Sequence, residues 1–142
     1  MNTFKFNVDG SVRGNPRQAG IGGVLRDSNG NVVCPFSYFV GTMDSNAVEI
    51  TAIHTAIEIC SSAPSHYGQV VSIVSDSKMA VSWINNEDFG SLEQVRMISF
   101  IRVQLKSLDG LKVVHTSRMF NSFVDNLAKM GSGSNGDFLH WM

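Results

Sequence analysis

Four carboxylates stand where the local sequence changes character: Asp9 closes an alternating run, Glu49 lies early in a helical one, Asp76 closes a β-branched run, and Asp125 falls in a last helical stretch. Their separations are 40 residues (49 minus 9), 27 (76 minus 49) and 49 (125 minus 76), so they meet only if a fold gathers them. Gathered carboxylates repel one another and lose hydration, which such a cluster normally offsets with divalent cations. Hard oxygen ligands without a His-Cys set select Mg²⁺ or Mn²⁺ over zinc. Two such ions ~3.5–4 Å apart activate a water and stabilise the leaving oxygen of a phosphodiester. Taken singly, each acid is equally an ordinary turn or helix-cap residue, so only the set argues for chemistry.

The elements that must position these acids follow from periodicity. Phe4 to Asp9 alternates apolar and polar residues and reads as a strand ending at Asp9, stopped by Gly10 and the turn-rich Gly14-Asn15-Pro16. Residues 20–26 and 32–40 read as two more strands, joined at Asp27-Ser28-Asn29-Gly30, where Asn-Gly marks a hairpin. Asp44 or Ser45 caps a helix carrying Val48, Ala52, Ile53, Ala56, Ile57 and Cys60, ended by Ser61-Ser62-Ala63-Pro64. Residues 69–75 form a buried strand ending at Asp76, and a helix follows through Met79, Ala80, Trp83 and Ile84. Residues 91–108 are helical with more apolar positions than one narrow stripe needs, Leu111 to His115 makes a fifth strand, and a last helix runs from about 121 to 130. The order β-β-β-α-β-α-α-β-α implies an α/β domain, an antiparallel meander completed by parallel strands with helices on its faces. Asp9 and Asp76 then lie near the carboxyl ends of neighbouring strands, the edge where open α/β sheets place ligands.

At 142 residues and 43% hydrophobic composition the chain suits one core rather than two domains. With a formal net charge of -1 and 16% charged residues, no basic arm announces a nucleic-acid binder, so any such binding uses a local patch. Cys34 and Cys60 both lie in apolar-periodic stretches, which argues for reduced buried thiols and an intracellular setting, cytoplasm or nucleus. Met1 to Phe6 runs into alternating residues without an apolar signal core, and no run approaches the ~20 apolar residues of a membrane span.

The combination of motifs carries a resemblance. Asn7-Val8-Asp9-Gly10-Ser11 with Gly14-Asn15-Pro16 and Ala19-Gly20-Ile21-Gly22-Gly23-Val24 resembles the opening of the type 1 ribonuclease H family. Asn46-Ala47-Val48-Glu49 with Ala52 resembles its first-helix motif, although an alanine-glutamate pair is more usual there than Val48-Glu49. Val74-Ser75-Asp76-Ser77 resembles the third motif. His115 to Arg118 with Asn121 to Lys129 resembles the last, in the branch seen in plant and archaeal proteins and plant retroelements. The resemblance spans about residues 3 to 130.

It implies a ribonuclease H-like fold over residues 1–130, with a five-stranded mixed sheet in the order 3-2-1-4-5 flanked by helices, and a flexible C-terminal tail over 131–142. It also implies two Mg²⁺ ions, with Mn²⁺ as a possible replacement, held by Asp9, Glu49, Asp76 and Asp125. The implied activity is endonucleolytic hydrolysis of the RNA strand of RNA/DNA hybrids. The implied setting is a monomeric domain of a retroelement polyprotein or reverse transcriptase, with covalent neighbours in a longer chain and no membrane. Gly10, Ser11, Asn15, Asn46 and Ser77 are the expected substrate contacts, Asn15 and Asn46 reaching the RNA strand. Two other readings stand: a related nuclease that keeps the acids but lacks the ribose contacts, and a catalytically inactive nucleic-acid-binding or structural module. Survival of all four acids speaks against the second.

Some positions depart from the pattern. Ser45 stands where many members carry an amide, and Met119 where a glutamate is frequent. Bacterial members place a mobile histidine on a glycine-containing loop. His115 lies ten residues before Asp125 (125 minus 115), but at a strand end with no glycine loop after it, so the shortened-loop branch, with Arg118 near the scissile phosphate, is the preferred assignment. A basic, tryptophan-rich protrusion for the DNA strand is replaced by the acidic Asn85-Asn86-Glu87-Asp88-Phe89-Gly90, and Trp83 is assigned to packing rather than DNA contact. Weak, salt-sensitive substrate binding is the consequence.

Overall fold

In the computed structural model the described residues are 3–14, 17–62, 70–85, 94–108, 110–133 and 137–142, with 119 and 120 as backbone only. Asn15, Gln69, the acidic stretch from Asn86 to Gly90 and the expected start of the third helix at Ser91 lie outside them.

The molecule is organised around β1 (Thr3–Arg13), which pairs on one side with antiparallel β2 (Gln18–Arg26) and on the other with parallel β4 (Val70–Ser75). Antiparallel β3 (Val32–Thr42) continues the sheet beyond β2, and parallel β5 (Leu111–His115) beyond β4. A two-residue β6 (Phe138–Leu139) adds to the outer edge of β3, giving the order β5-β4-β1-β2-β3-β6. The expected 3-2-1-4-5 core is therefore present, with one further strand.

Local chemistry explains the connections. The β2–β3 hairpin closes at Gly30, which adopts φ +84°, while the Asp27 carboxylate accepts the amides of Asn29 and Asn31 at 2.9 Å each. Helix α1 (Ser45–Ser61) starts where Asp44 accepts the Ala47 amide at 2.8 Å. Its Val48, Ala52, Ile53, Ala56 and Ile57 pack with Phe6, Val8 and Ile21 in the main core. Helices α2 (Lys78–Asn85) and α3 (Val95–Ser107) join that core through Ala80, Val81, Ile84, Ile98 and Ile101. The apolar surplus of α3 is outward: Phe100 and Val103 are exposed. Trp83 is half-buried against the core, in line with a packing role.

Alternation along β1 assigns its two faces to different helices. Phe6 and Val8 enter the α1 core, and Gly10 faces Val48 and Glu49. Asn7, Asp9 and Arg13 meet the 3-10 turn Arg118–Asn121 and helix α4 (Ser122–Ser132). Helix α4 lies so close to β2 that a Cβ on Gly20 would come within 2.0 Å of the Ser132 nitrogen, and one on Gly22 within 2.6 Å of the Ala128 nitrogen. These two glycines are sockets for the helix.

Beyond two-residue extensions of β2 to Gln18 and of β3 to Thr42, two boundaries differ from the sequence expectation. β1 does not stop at Asp9, because Gly10 to Arg13 continue the β2 pairing as far as Arg13↔Gln18. Gly10 marks a close approach of α1, not a strand end. Gly131 and Ser132 belong to α4, and the segment expected as a tail over 131–142 also contributes β6. Gly131 continues the helix because it packs onto Tyr38, whose carbonyl oxygen would lie 2.4 Å from an added Cβ.

Candidate active site

The β1–β4 register brings two acids together. Val8↔Ser75 is the last parallel pair, so Asp9 and Asp76 follow on adjacent strands at the carboxyl end of β4. Asp76 is held at the strand-to-helix turn. The Ser77 amide donates to Ser75 Oγ at 3.1 Å, Ser77 Oγ accepts the Ala80 amide at 3.2 Å, and the Thr116 amide donates to the Ser75 carbonyl at 2.9 Å. Ser77 thus caps α2 in addition to facing the site.

Glu49 comes from the first turns of α1. Its Oε1 accepts the Gly10 amide at 2.6 Å, and the same amide lies 2.9 Å from Asp9 Oδ1. A Cβ on Gly10 would lie 2.9 Å from both Glu49 Oε1 and Val48 Cγ1, so the missing side chain lets the carboxylate reach the strand. One oxygen from each of Asp9, Glu49 and Asp76 can be chosen so that all three lie within 4.8 Å of one another.

Asp125 approaches from the opposite face on α4. It shares a hydrogen bond with Asp9 and pairs with Lys129 one turn later, Nζ to Oδ2 at 2.9 Å. Arg118 projects over the cluster: its side chain is 91% exposed, yet Nε lies 3.7 Å from Asp76 Oδ2. Together these groups line a hollow of about 480 Å³ with Gly10, Ser11, Val12, Ser45, Asn46, Val48 and Ser77.

The electrostatics are those of a crowded acidic site. Burial, then repulsion from Glu49 and Asp76, pushes Asp9 up to about 9. Burial, partly relieved by hydrogen bonds from Asp9 and Gly10, pushes Glu49 up to about 7. For Asp125, burial acts upward but is outweighed by Lys129, Asp9 and Arg118, so its carboxyl lies below the ordinary range. Asp76 Oδ1 is buried without a hydrogen-bond partner, on a side chain only 3% exposed. An orphaned buried carboxylate oxygen beside two further carboxylates has the chemistry of a ligand set for a hard divalent cation. The acidic cluster fits such an ion.

Of the residues singled out from sequence, the fold gathers Asp9, Glu49, Asp76, Asp125, Arg118, Gly10, Ser11, Asn46 and Ser77 around one hollow. His115 is not among its lining residues. It is exposed at the end of β5, in register with Ser75. Sequence reasoning gave no role to Lys129, to the glycine sockets, or to Asn121, which is buried and donates to the Val8 carbonyl at 3.0 Å while accepting from Asn7 at 3.0 Å. The available signals were positional: Asn7 is two residues before Asp9 on one strand face, and Asn121 one helical turn before Asp125.

Residues 7–131 match the model of the family described as reverse transcriptase-like. No curated protein matches the sequence. Among solved structures, LC11-RNase H1, isolated from compost by a metagenomic approach, superposes with a TM-score of 0.85 at 25% identity, covering 95% of this chain and 99% of its own. The RNase H1 of the halophilic archaeon Halobacterium salinarum gives 0.81 at 22% identity over 93% and 98%. The foamy viral protease-reverse transcriptase, solved with an RNA/DNA hybrid, gives 0.74 at 19% identity, covering 94% of this chain and 20% of the viral one.

Proposed function

The chain belongs to the reverse transcriptase-like family, and from that membership we propose that it is a ribonuclease H, an endonuclease that hydrolyses the RNA strand of RNA/DNA hybrids. The observation that carries this reading is the convergence of Asp9, Glu49 and Asp76 within 4.8 Å, with Asp125 joined to Asp9 from the other face. LC11-RNase H1 has also been solved with an RNA/DNA hybrid, at a TM-score of 0.82 to this chain, which supports the substrate class.

Asp9, Glu49, Asp76 and Asp125 are the proposed holders of two Mg²⁺ ions, with Mn²⁺ able to take their place. When bound, these ions supply an activated water and charge stabilisation for a phosphodiester leaving oxygen. Asp9 touches both Glu49 and Asp125 and so joins the two halves of the ligand set. Arg118 offers a positive group to a non-bridging phosphate oxygen. Gly10, Ser11, Asn46 and Ser77 line the hollow where short polar groups and bare backbone can approach a 2′-hydroxyl, and Asn15 is assigned a further ribose contact. The presence of Arg118 at the hollow and the absence of His115 from its lining favour the plant and archaeal branch. The family description and the viral likeness favour a retroelement or reverse-transcriptase setting.

The test is a substrate panel in which one RNA sequence, end-labelled, is presented as a hybrid, as double-stranded RNA and as a single strand, with Mg²⁺. Internal cuts confined to the hybrid are the expected result. Comparable cutting of the other RNAs would replace this reading with a nuclease lacking ribose-dependent selection, and no cutting of any substrate would favour the inactive module.

A further inference from the structure

The proposed catalytic site is assembled across both faces of β1, and the α4 half depends on a small polar ladder. Three residues on one face of β1 meet three residues one turn apart on or beside α4. Asn7 Nδ2 donates to Asn121 Oδ1 at 3.0 Å, Asp9 shares a hydrogen bond with Asp125, and Arg13 Nη2 donates to the Lys129 carbonyl at 3.2 Å. The first rung differs from the last in burial. Asn121 is 1% exposed, whereas the Arg13 contact is at the surface.

Asn121 spends both ends of its amide on β1. While its oxygen takes the Asn7 proton, its nitrogen donates to the Val8 carbonyl at 3.0 Å, on the peptide that leads into Asp9. It stands three residues after Arg118 and four before Asp125. A single buried side chain therefore ties the backbone beside Asp9 to the turn bearing Arg118 and the helix bearing Asp125. An apolar residue would fill this place without the desolvation cost of two amides. What two paired amides add is direction: they fix the rotation and height of the first turn of α4 against the strand. The glycine sockets at Gly20 and Gly22 bring α4 close and Ser37 Oγ donates to the Leu127 carbonyl at 2.7 Å in the middle of the helix, while the amide pair holds its first turn.

We infer that Asn121, locked by Asn7, is a positioning residue that sets the distance of Asp125 from Asp9, and hence the affinity of the α4 half of the site for a divalent cation. This inference rests on the proposed reading of the four carboxylates as a cation site. It differs from a purely structural role in what it predicts: the loss falls on metal affinity, not in proportion to stability.

The experiment compares wild type, Asn121→Ala, Asn7→Ala and, as a packing control on the other face, Ile53→Ala. Mn²⁺ binding to the full chain is measured by calorimetry without substrate, alongside the Mg²⁺ dependence of single-turnover hybrid cleavage. Asn121→Ala is expected to raise the half-saturating metal concentration at least about tenfold, the range seen when groups supporting metal ligands are removed. Asn7→Ala should shift it in the same direction by less. Ile53→Ala should lower the melting temperature and leave metal half-saturation unchanged. If Asn121→Ala does not fold, Asn7→Ala decides alone. Metal half-saturation equal to wild type in the folded asparagine variants, or an equal shift in Ile53→Ala, overturns the inference while the functional reading stands. A wild-type protein that neither binds Mn²⁺ nor cleaves overturns both, and weakened Mn²⁺ binding in the variants upholds the inference even without cleavage.

Discussion

Glu49 and Asp125 reach Asp9 from opposite faces of the same strand, and they are held there by different physics. Glu49 rides on α1, whose Val48, Ile50, Ala52, Ile53, Ala56 and Ile57 are almost wholly buried, so its position is backed by the main core. Asp125 rides on α4, seated by glycine sockets, a half-buried amide pair and the small Val24-Val124-Leu127 cluster. Their charge states diverge accordingly. Burial pushes Glu49 up to about 7, whereas Lys129 and its other partners hold Asp125 below the ordinary range despite partial burial. The α1 carboxylate is placed by bulk and needs a cation to ionise comfortably; the α4 carboxylate is placed by a few directional contacts and is already charge-compensated.

The largest effect expected is on Asp9 and Asp76, which serve both halves. Asp9→Asn or Asp76→Asn should lower single-turnover cleavage by at least about a hundredfold, more than loss of a group that only supports metal ligands. Metal-free stability should hold or rise, because each substitution removes a carboxyl group crowded by the others. Wild-type turnover by either folded variant at saturating Mg²⁺ would contradict the assignment.

The two seats separate under packing changes. Gly22→Ala forces a Cβ to 2.6 Å from the Ala128 nitrogen, and overpacking of this kind costs about 1–3 kcal/mol or more. Ile53→Ala opens a cavity in the core under α1 and costs about 2–5 kcal/mol. Denaturant unfolding measures both. The comparison predicts that only the Gly22 variant, by moving α4, also weakens metal dependence; equal weakening in both would erase the distinction.

Arg118→Ala should lower turnover about a hundredfold, as for loss of one group stabilising developing charge. His115→Ala, at an exposed strand end outside the hollow, should change stability by less than about 0.5 kcal/mol and turnover little. Single-turnover rates on one hybrid at fixed salt rank the two, and a far greater loss for His115→Ala would reverse the assignment.

A further contrast concerns pH. Asp9 and Glu49 keep protons in the folded state up to about 9 and about 7, above their unfolded values. The folded protein then binds more protons than the unfolded chain in that window, so metal-free stability should fall as pH rises from about 4 to about 9. Asp9→Asn should flatten the slope. A slope of opposite sign in wild type, measured by thermal unfolding in chelator, would contradict the raised values.

Much of this was legible in the sequence, for identifiable reasons. Asp76 was placed by the β-branched run before it, and Glu49 by the Asp44 cap and the helical period after it, both local signals. The β5 span from Leu111 to His115 is likewise bounded in the sequence by Asp109-Gly110. Glycine is the residue whose role local sequence hides. Gly10 and Gly131 look like stops to a rule that knows only local propensity, yet they mark close approaches whose partners, Val48 with Glu49 and Tyr38, lie far away in the chain. β6 has two residues, too few to show a period, and forms because β3 offers an edge. Asn121 stands in the sequence only as the first residue of the last family-like stretch, without a role, because its partners, Asn7 and Val8, are 114 and 113 residues away.

The central claim is that the carboxylates on β1, β4, α1 and α4 act as one divalent-cation site. The most direct measurement is the thermal unfolding midpoint of wild type and Asp9→Asn across a Mg²⁺ titration, with hybrid cleavage followed in the same solutions. The account predicts that Mg²⁺ raises the wild-type midpoint, that cleavage appears over the same concentration range, and that Asp9→Asn shows neither response. Equal Mg²⁺ stabilisation of both proteins, or wild-type cleavage that persists in chelator, would contradict it.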